Sequence, residues 1–295
     1  MSFTPYVCMQ TNNRCYKSNT KMKPVGILWH STGANNTSLK RYIQPTQNST
    51  NYAKDINKIG LNAYKNDWNN SSVSTAVHAF IGKFADGSIG TVQCLPWDIQ
   101  PWGCGKGSKG SCNSGWIQFE ICEDNLVDKA YAKKVYDEAI ALTVYLCKKY
   151  DIDPNKTVTK NGVKIPTITC HNDASKLGFA TSHADINHWF PKVLGKSMAD
   201  VRKDVAAKLS AKTTKSSETT KKVETKTTKS STKPADFKVK VTANALNVRT
   251  GPDKKYKATQ IIRKDEVYTI VEEKDGWGKL KSGAGWIMLK YTKKL

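Results

Sequence analysis

Three of the chain's five histidines, His171, His183 and His188, fall with Asp185 inside the segment 168–190, ITCHNDASKLGFATSHADINHWF. Imidazole and carboxylate together suit a borderline cation such as zinc. Surface histidines are common, so the cluster becomes a metal site only if a residue remote in sequence completes a tetrahedron. His30, which closes the apolar run Val25-Gly-Ile-Leu-Trp-His30, is the remote candidate. A catalytic zinc takes three protein ligands and keeps one open corner, where the pKa of a water falls from ~15.7 to about 7. His30, His171 and Asp185 are of the right types to supply the three ligands. Such a hydrolase also needs a carboxylate that is not a ligand, to carry the water's proton to the leaving group. Glu120, in WIQFEIC, is of the right type. A cation or second donor must meet the oxyanion that develops on the carbonyl.

These residues need a scaffold. Val25 to His30 reads as a short strand. Val77 to Gly82 and Gly87 to Gln93 flank the turn Lys83-Phe-Ala-Asp-Gly87 as a hairpin, and Trp116 to Cys122 alternates as a further strand. Asp128 is placed to cap a helix whose apolar positions Tyr131, Val135, Ala139, Leu142 and Leu146 step by three or four. Ser197 with Asp200 forms a capping box ahead of Val201, Val205 and Leu209. The segment 168–190 reads as loop-rich. Strands interleaved with helices predict an α/β fold, a mixed β-sheet flanked by helices.

From Ser210 to Lys233 the chain reads SAKTTKSSETTKKVETKTTKSSTK, with seven Lys against two Glu and almost no apolar residue. Such a stretch buries too little surface to fold and reads as a solvated linker. Three parts are therefore expected: a domain at 1–209, a linker at 210–235 and a second domain at 236–295. The last has short β-rich runs punctuated by Arg249-Thr-Gly-Pro252, Lys274-Asp-Gly276 and Ser282-Gly283, the pattern of a small all-β barrel that needs no helix.

At 295 residues the chain has length for two cores. Its net charge of +22 points to an anionic partner. No window approaches twenty apolar residues, which argues against membrane insertion. The N-terminus lacks the basic start and apolar core of a signal peptide, so synthesis in the cytoplasm is expected. The eight cysteines contain no C-x-x-C pair and read as free thiols, although Cys104 and Cys112, bracketing GKGSKGS, would be able to pair in an oxidising setting.

Taken together, ILWHSTGA ending its strand at His30, Ala76-Val-His78-Ala-Phe-Ile81, Glu120 in IQFEICED and His171-Asn-Asp173 resemble the zinc-dependent type-2 N-acetylmuramoyl-L-alanine amidases. The resemblance covers residues 20 to 205. It implies the peptidoglycan recognition protein-like amidase fold. The implied activity is cleavage of the amide between N-acetylmuramic acid and L-alanine in peptidoglycan, with Zn2+ held by His30, His171 and an acid. The family usually carries K-x-D-P-G or K-x-C-P-G, whose acid or thiol is the third ligand and whose lysine stabilises the transition state. Here His183-Ala-Asp185-Ile-Asn stands in its place. That alignment makes Asp185 the ligand and gives His183 the lysine's role, and it leaves the choice between the two as third ligand open. Val77 stands where several members have a catalytic tyrosine, which shifts the burden to Glu120. Trp102, in Gln100-Pro-Trp-Gly-Cys104, matches a cleft-lining aromatic that packs on substrate. His78 and His188 are expected beside the site rather than as ligands.

The motif Ala245-Leu-Asn-Val-Arg-Thr-Gly-Pro252, with Asp275-Gly-Trp277 and Gly285-Trp-Ile287, resembles a bacterial SH3-type cell-wall-binding domain. The combination implies a phage or prophage endolysin, released to act on the peptidoglycan and associated anionic wall polymers of a Gram-positive cell. Two rivals stand beside it. A non-catalytic peptidoglycan-binding protein would bind without releasing amino termini, and a thiol-dependent wall endopeptidase would need a cysteine in a nucleophile's setting. Nucleic-acid binding rests on charge alone, and no nucleic-acid partner is expected.

Overall fold

The computed structural model describes residues 3–214, 237–254 and 256–295. The chain divides into two compact units, residues 1–220 and 221–295. In the first, the elements in order are β1 (Tyr6–Val7), α1 (Arg14–Ser18), β2 (Gly26–Asn35), α2 (Tyr52–Ile59), β3 (Ala79–Lys83), β4 (Ile89–Gln93) and β5 (Trp116–Glu123). They continue with α3 (Lys129–Tyr150), β6 (Thr157–Lys160), β7 (Val163–Pro166), β8 (Ile168–Cys170), α4 (His171–Lys176), α5 (Phe190–Leu194) and α6 (Met198–Thr214).

Six strands form one mixed sheet in the order β1-β4-β3-β5-β2-β8. Only the β3–β4 hairpin is antiparallel; β1–β4, β3–β5, β5–β2 and β2–β8 run parallel. The central strands therefore need cover on both faces. One face packs on α3, whose predicted stripe Tyr131, Val135, Ala139, Leu142 and Leu146 is buried against Ile27 and Trp29 of β2 and Ile117, Phe119 and Ile121 of β5. Asp128 caps α3 as expected, accepting from the backbone N–H groups of Ala130 and Tyr131, an arrangement that contributes ~1 kcal/mol. The box ahead of α6 also forms, through Ser197 N–H to Asp200 Oδ2 at 2.9 Å.

The alternation in WIQFEIC has a different cause from the usual half-wet strand, because all eight residues of β5 are buried. Ile117, Phe119 and Ile121 meet α3, while Gln118 and Glu120 alternate with them onto the opposite face, where the floor of a cleft needs polar groups.

Two expectations need correction. His171 does not lie in a loop: β8 ends at Cys170, and His171 is the first residue of α4. Helix α6 runs on through Ser210 to Thr214, into the first residues of the stretch read as linker. The linker expected at 210–235 otherwise lies, from residue 215, outside the described residues.

The second unit is a seven-stranded antiparallel sheet of β9 (Phe237–Val241), β10 (Ala245–Arg249), β11 (Ala258–Arg263), β12 (Val267–Lys274), β13 (Trp277–Leu280), β14 (Trp286–Met288) and β15 (Thr292–Lys294). Val239, Val248, Ile270 and Ile287 are at its core. Among the described residues a 3-10 turn, Leu289–Tyr291, is added to the all-β plan.

Candidate metal centre

His30 and Glu120 are register partners on the adjacent strands β2 and β5, facing the side of the sheet away from α3. His171 reaches the same place from the start of α4, because β8 pairs with β2 through Trp29 and Cys170 and so delivers the next residue beside His30. Asp185 comes from the segment after α4, and its backbone carbonyl accepts from Asn172 N–H at 3.0 Å.

The three candidate ligands converge. His30 Nδ1 lies 3.1 Å from His171 Nδ1 and 3.1 Å from Asp185 Oδ2; His171 Nδ1 lies 3.6 Å from the same oxygen. A tetrahedral zinc with bonds of about 2.0–2.1 Å spaces its donors ~3.3–3.4 Å apart, so this triangle has the size of one face of that polyhedron. All three residues are buried. Two imidazole lone pairs and a carboxylate oxygen this close repel unless positive charge sits among them, so the donor set fits a divalent cation. Burial pulls the His30 ring down, but the hydrogen bond and charge of Asp185, with the charge of Glu120, hold it above its ordinary value. Burial and the neighbouring His30 push His171 down to about 4.

Glu120 is buried, its Oε2 has no hydrogen-bond partner, and burial pushes its carboxyl up to about 8. It lines a cleft of about 510 Å3 together with the three candidate ligands. His183, Trp102 and His188 also line it. The His183 ring packs on that of His171, with centroids 4.4 Å apart, and its Nδ1 lies 3.2 Å from Thr181 Oγ1. Trp102 is 44% exposed at the lip, its backbone tied to Ala76 by two hydrogen bonds. His188 Nε2 approaches Glu123 Oε1 at 3.0 Å. His78 is outside the cleft and fully buried: its Nδ1 accepts from Gln118 N–H and its Nε2 donates to Ile99 O.

Three residues of the site escaped the sequence reading. Gln118 Oε1 lies 2.8 Å from His30 Nε2, Thr181 Oγ1 lies 3.2 Å from His171 Nε2, and the buried Ser31 Oγ lines the cleft. Gln118 had a signal, since it is two residues from Glu120 on one strand and so shares its face. Thr181 had none.

All eight cysteines are free thiols, seven of them buried. Burial pushes Cys170, beside His171, up to about 12, and the same cause raises the thiols of Cys104 and Cys112. No thiol here has the setting of a nucleophile.

The sequence profile for N-acetylmuramoyl-L-alanine amidase matches residues 20–189, more than half of the chain. The chain belongs to this amidase family. A second profile, bacterial SH3 domain, matches residues 242–289 of the amidase. No curated protein matches it in sequence. Solved structures similar to the amidase include the Staphylococcus aureus hydrolase AmiA, at 18% identity over 73% of this chain and 87% of that one, with a TM-score of 0.45. PlyL is similar at 17% identity over 69% and 97%, with a TM-score of 0.42. A mutant endolysin from Bacillus subtilis is similar at 19% identity over 68% and 99%, with a TM-score of 0.39. Membership of the family makes this chain a hydrolase acting on peptidoglycan, and it carries a bacterial SH3 domain. Among the described residues no helix is long and apolar enough to cross a membrane.

Proposed function

We propose that the amidase is a zinc enzyme and an endolysin of Gram-positive walls, with His30, His171 and Asp185 as ligands, Glu120 as proton carrier and His183 as oxyanion donor. The observation that carries this reading is the triangle of two Nδ1 atoms and one carboxylate oxygen, buried beside an unpartnered acid. The bond cleaved is the amide joining the lactyl group of N-acetylmuramic acid to L-alanine.

A zinc ion held there supplies a Lewis acid and lowers the pKa of its water toward 7. Glu120 is suited to the proton work on two counts. Its Oε2 is free of other partners, and burial has moved its carboxyl to about 8, near the working pH, where proton acceptance and return are both feasible. It takes the proton of the attacking water and returns it to the departing alanine nitrogen, so that one acid serves both halves of the hydrolysis.

His183 supports the developing negative charge on the carbonyl oxygen. Its Nδ1 lies 3.2 Å from Thr181 Oγ1, so the oxyanion role falls to Nε2 and requires a proton there. Trp102 offers an apolar surface at the lip on which a sugar or peptide can pack. The net charge of +22 favours approach to anionic wall polymers, an attraction that weakens as salt shortens the Debye length.

The test is metal content together with the bond broken. Purified protein should carry about one zinc per chain, lose wall-lytic activity on chelation and regain it with zinc, and release new L-alanine amino termini without new reducing ends. Full lytic activity in a chelated, metal-free sample would end the zinc reading.

A further inference from the structure

Around His30 the hydrogen-bond donors can be assigned from the backbone outward. The Oδ1 atom of Asn113 is approached by the backbone N–H groups of Gly103 and Cys104, each at 3.1 Å. A backbone N–H can only donate, so this atom is an oxygen. The other end of Asn113 agrees, since Nδ2 donates to Gly105 O at 2.9 Å. The Gln118 atom 2.9 Å from Asn113 Oδ1 must then be the amide nitrogen. Consequently the oxygen of Gln118 faces His30 Nε2 at 2.8 Å. An amide oxygen can only accept, so His30 carries a proton on Nε2, which leaves Nδ1, facing His171 and Asp185, as the nitrogen that can offer a lone pair to a metal.

Gln118 is held in this pose on every side. It is fully buried, Asn113 is nearly so, and the backbone N–H and C=O of Gln118 both bond to His78. The loop packs onto its carboxamide so tightly that a Cβ at Gly103 would stand 2.4 Å from Gln118 Oε1 and 2.8 Å from Val77 Cγ1. Glycine at 103 is therefore a requirement of the close approach, independent of the hydrogen bonds.

We infer that Gln118, clamped by Asn113 and by the backbone at Gly103, is a positioning residue that sets the tautomer and ring plane of His30 for metal binding. The inference rests on the zinc reading above. It gives the loop 103–113 a purpose that neither its cysteines nor its glycines and lysines suggest. Gly103 and Cys104 supply the two N–H groups that orient Asn113, Asn113 orients Gln118, and Gln118 orients the ligand. Removing such a partner of a ligating imidazole weakens metal binding by roughly 10–100-fold.

The experiment uses the full chain and reads zinc affinity by competition with a chromophoric chelator. Gln118→Met keeps the length and loses the acceptor, and is expected to bind zinc 10–100-fold more weakly. Gln118→Glu, which restores an acceptor for Nε2–H, should bind more tightly than the Met variant. Gly103→Ala should weaken zinc in the same direction without touching a ligand. A folded Gln118→Met protein, judged by circular dichroism, that binds zinc within about twofold of the unaltered chain would overturn the inference. Should that variant not fold, the ring-nitrogen NMR spectrum of the unaltered, zinc-loaded chain decides. A proton on His30 Nε2 with none on Nδ1 is expected, and the reverse would overturn the assignment. Failure of the unaltered chain to bind zinc at all would instead remove the metal reading, and this inference with it.

Discussion

Glu120 stands directly across from His30 in the register of two parallel strands, and one of its buried oxygens has no partner. Its carboxyl is pushed up by burial from the ordinary 4.5 to about 8. Because the folded-state value is the higher one, the metal-free fold is unpenalised below pH ~4.5 and loses stability at ~1.4 kcal/mol per unit as pH rises from there to about 8, where the loss levels off. Glu120→Gln, which cannot ionise, should abolish that decline in chelated protein unfolded by urea at several pH values. The same variant should retain zinc and lose roughly 10²–10⁴-fold in kcat. Unchanged turnover would leave Glu120 as a packed acid and nothing more.

The triangle of ligand atoms assigns different fates to the two residues of His183-Ala-Asp185. Asp185→Ala removes one corner, so zinc content should fall toward zero. His183→Ala should leave zinc in place and lower kcat by about 10²–10³, the magnitude for losing one oxyanion donor. Metal analysis of the two purified variants separates these outcomes, and loss of zinc in the His183 variant would exchange their roles.

Chelation should also cost stability, since three electron-rich atoms are then left facing one another. Zinc at 1,000 times its Kd stabilises the fold by ~4 kcal/mol through mass action alone. A thermal melt of the first unit that does not respond to zinc would contradict this.

His78 governs a separate pH effect. Burial pushes its ring down from 6.5 to about 4, against the hydrogen bonds to Ile99 and Gln118. The folded value is the lower one, so the contribution is fully present above pH ~6.5 and is lost as pH falls toward 4, again at ~1.4 kcal/mol per unit. His78→Gln should flatten that acid limb relative to the unaltered chain. An equally steep limb would mean that other groups carry it.

Trp102→Ala should leave the fold and zinc content unchanged, because the side chain is 44% exposed and the strand-like contact at Ala76 is made by backbone. Loss of an aromatic contact worth about 0.5–1.5 kcal/mol predicts a KM on soluble muropeptide raised roughly 2–12-fold, with kcat kept. A fall in kcat with KM unmoved would place Trp102 in the chemistry instead.

The chain order already contained the residue types: a histidine ending an apolar run, a lone acid in WIQFEIC, and histidines grouped around Asp185. Periodicity foretold the buried stripe of α3, both helix caps and the β3–β4 hairpin, since these depend on neighbours a few positions apart. Tertiary structure alone brought His30 within 3.1 Å of His171, 141 residues away, because parallel pairing of β8 with β2 leaves no mark in either strand's sequence. It likewise set His171 at a helix start instead of in a loop. It decided too that an unremarked glutamine, fixed by an asparagine and a glycine, faces the second nitrogen of His30. Local pattern reports which face a side chain takes; which remote group it meets there is set by how strands are ordered in the sheet, and that order is a property of the whole packed core.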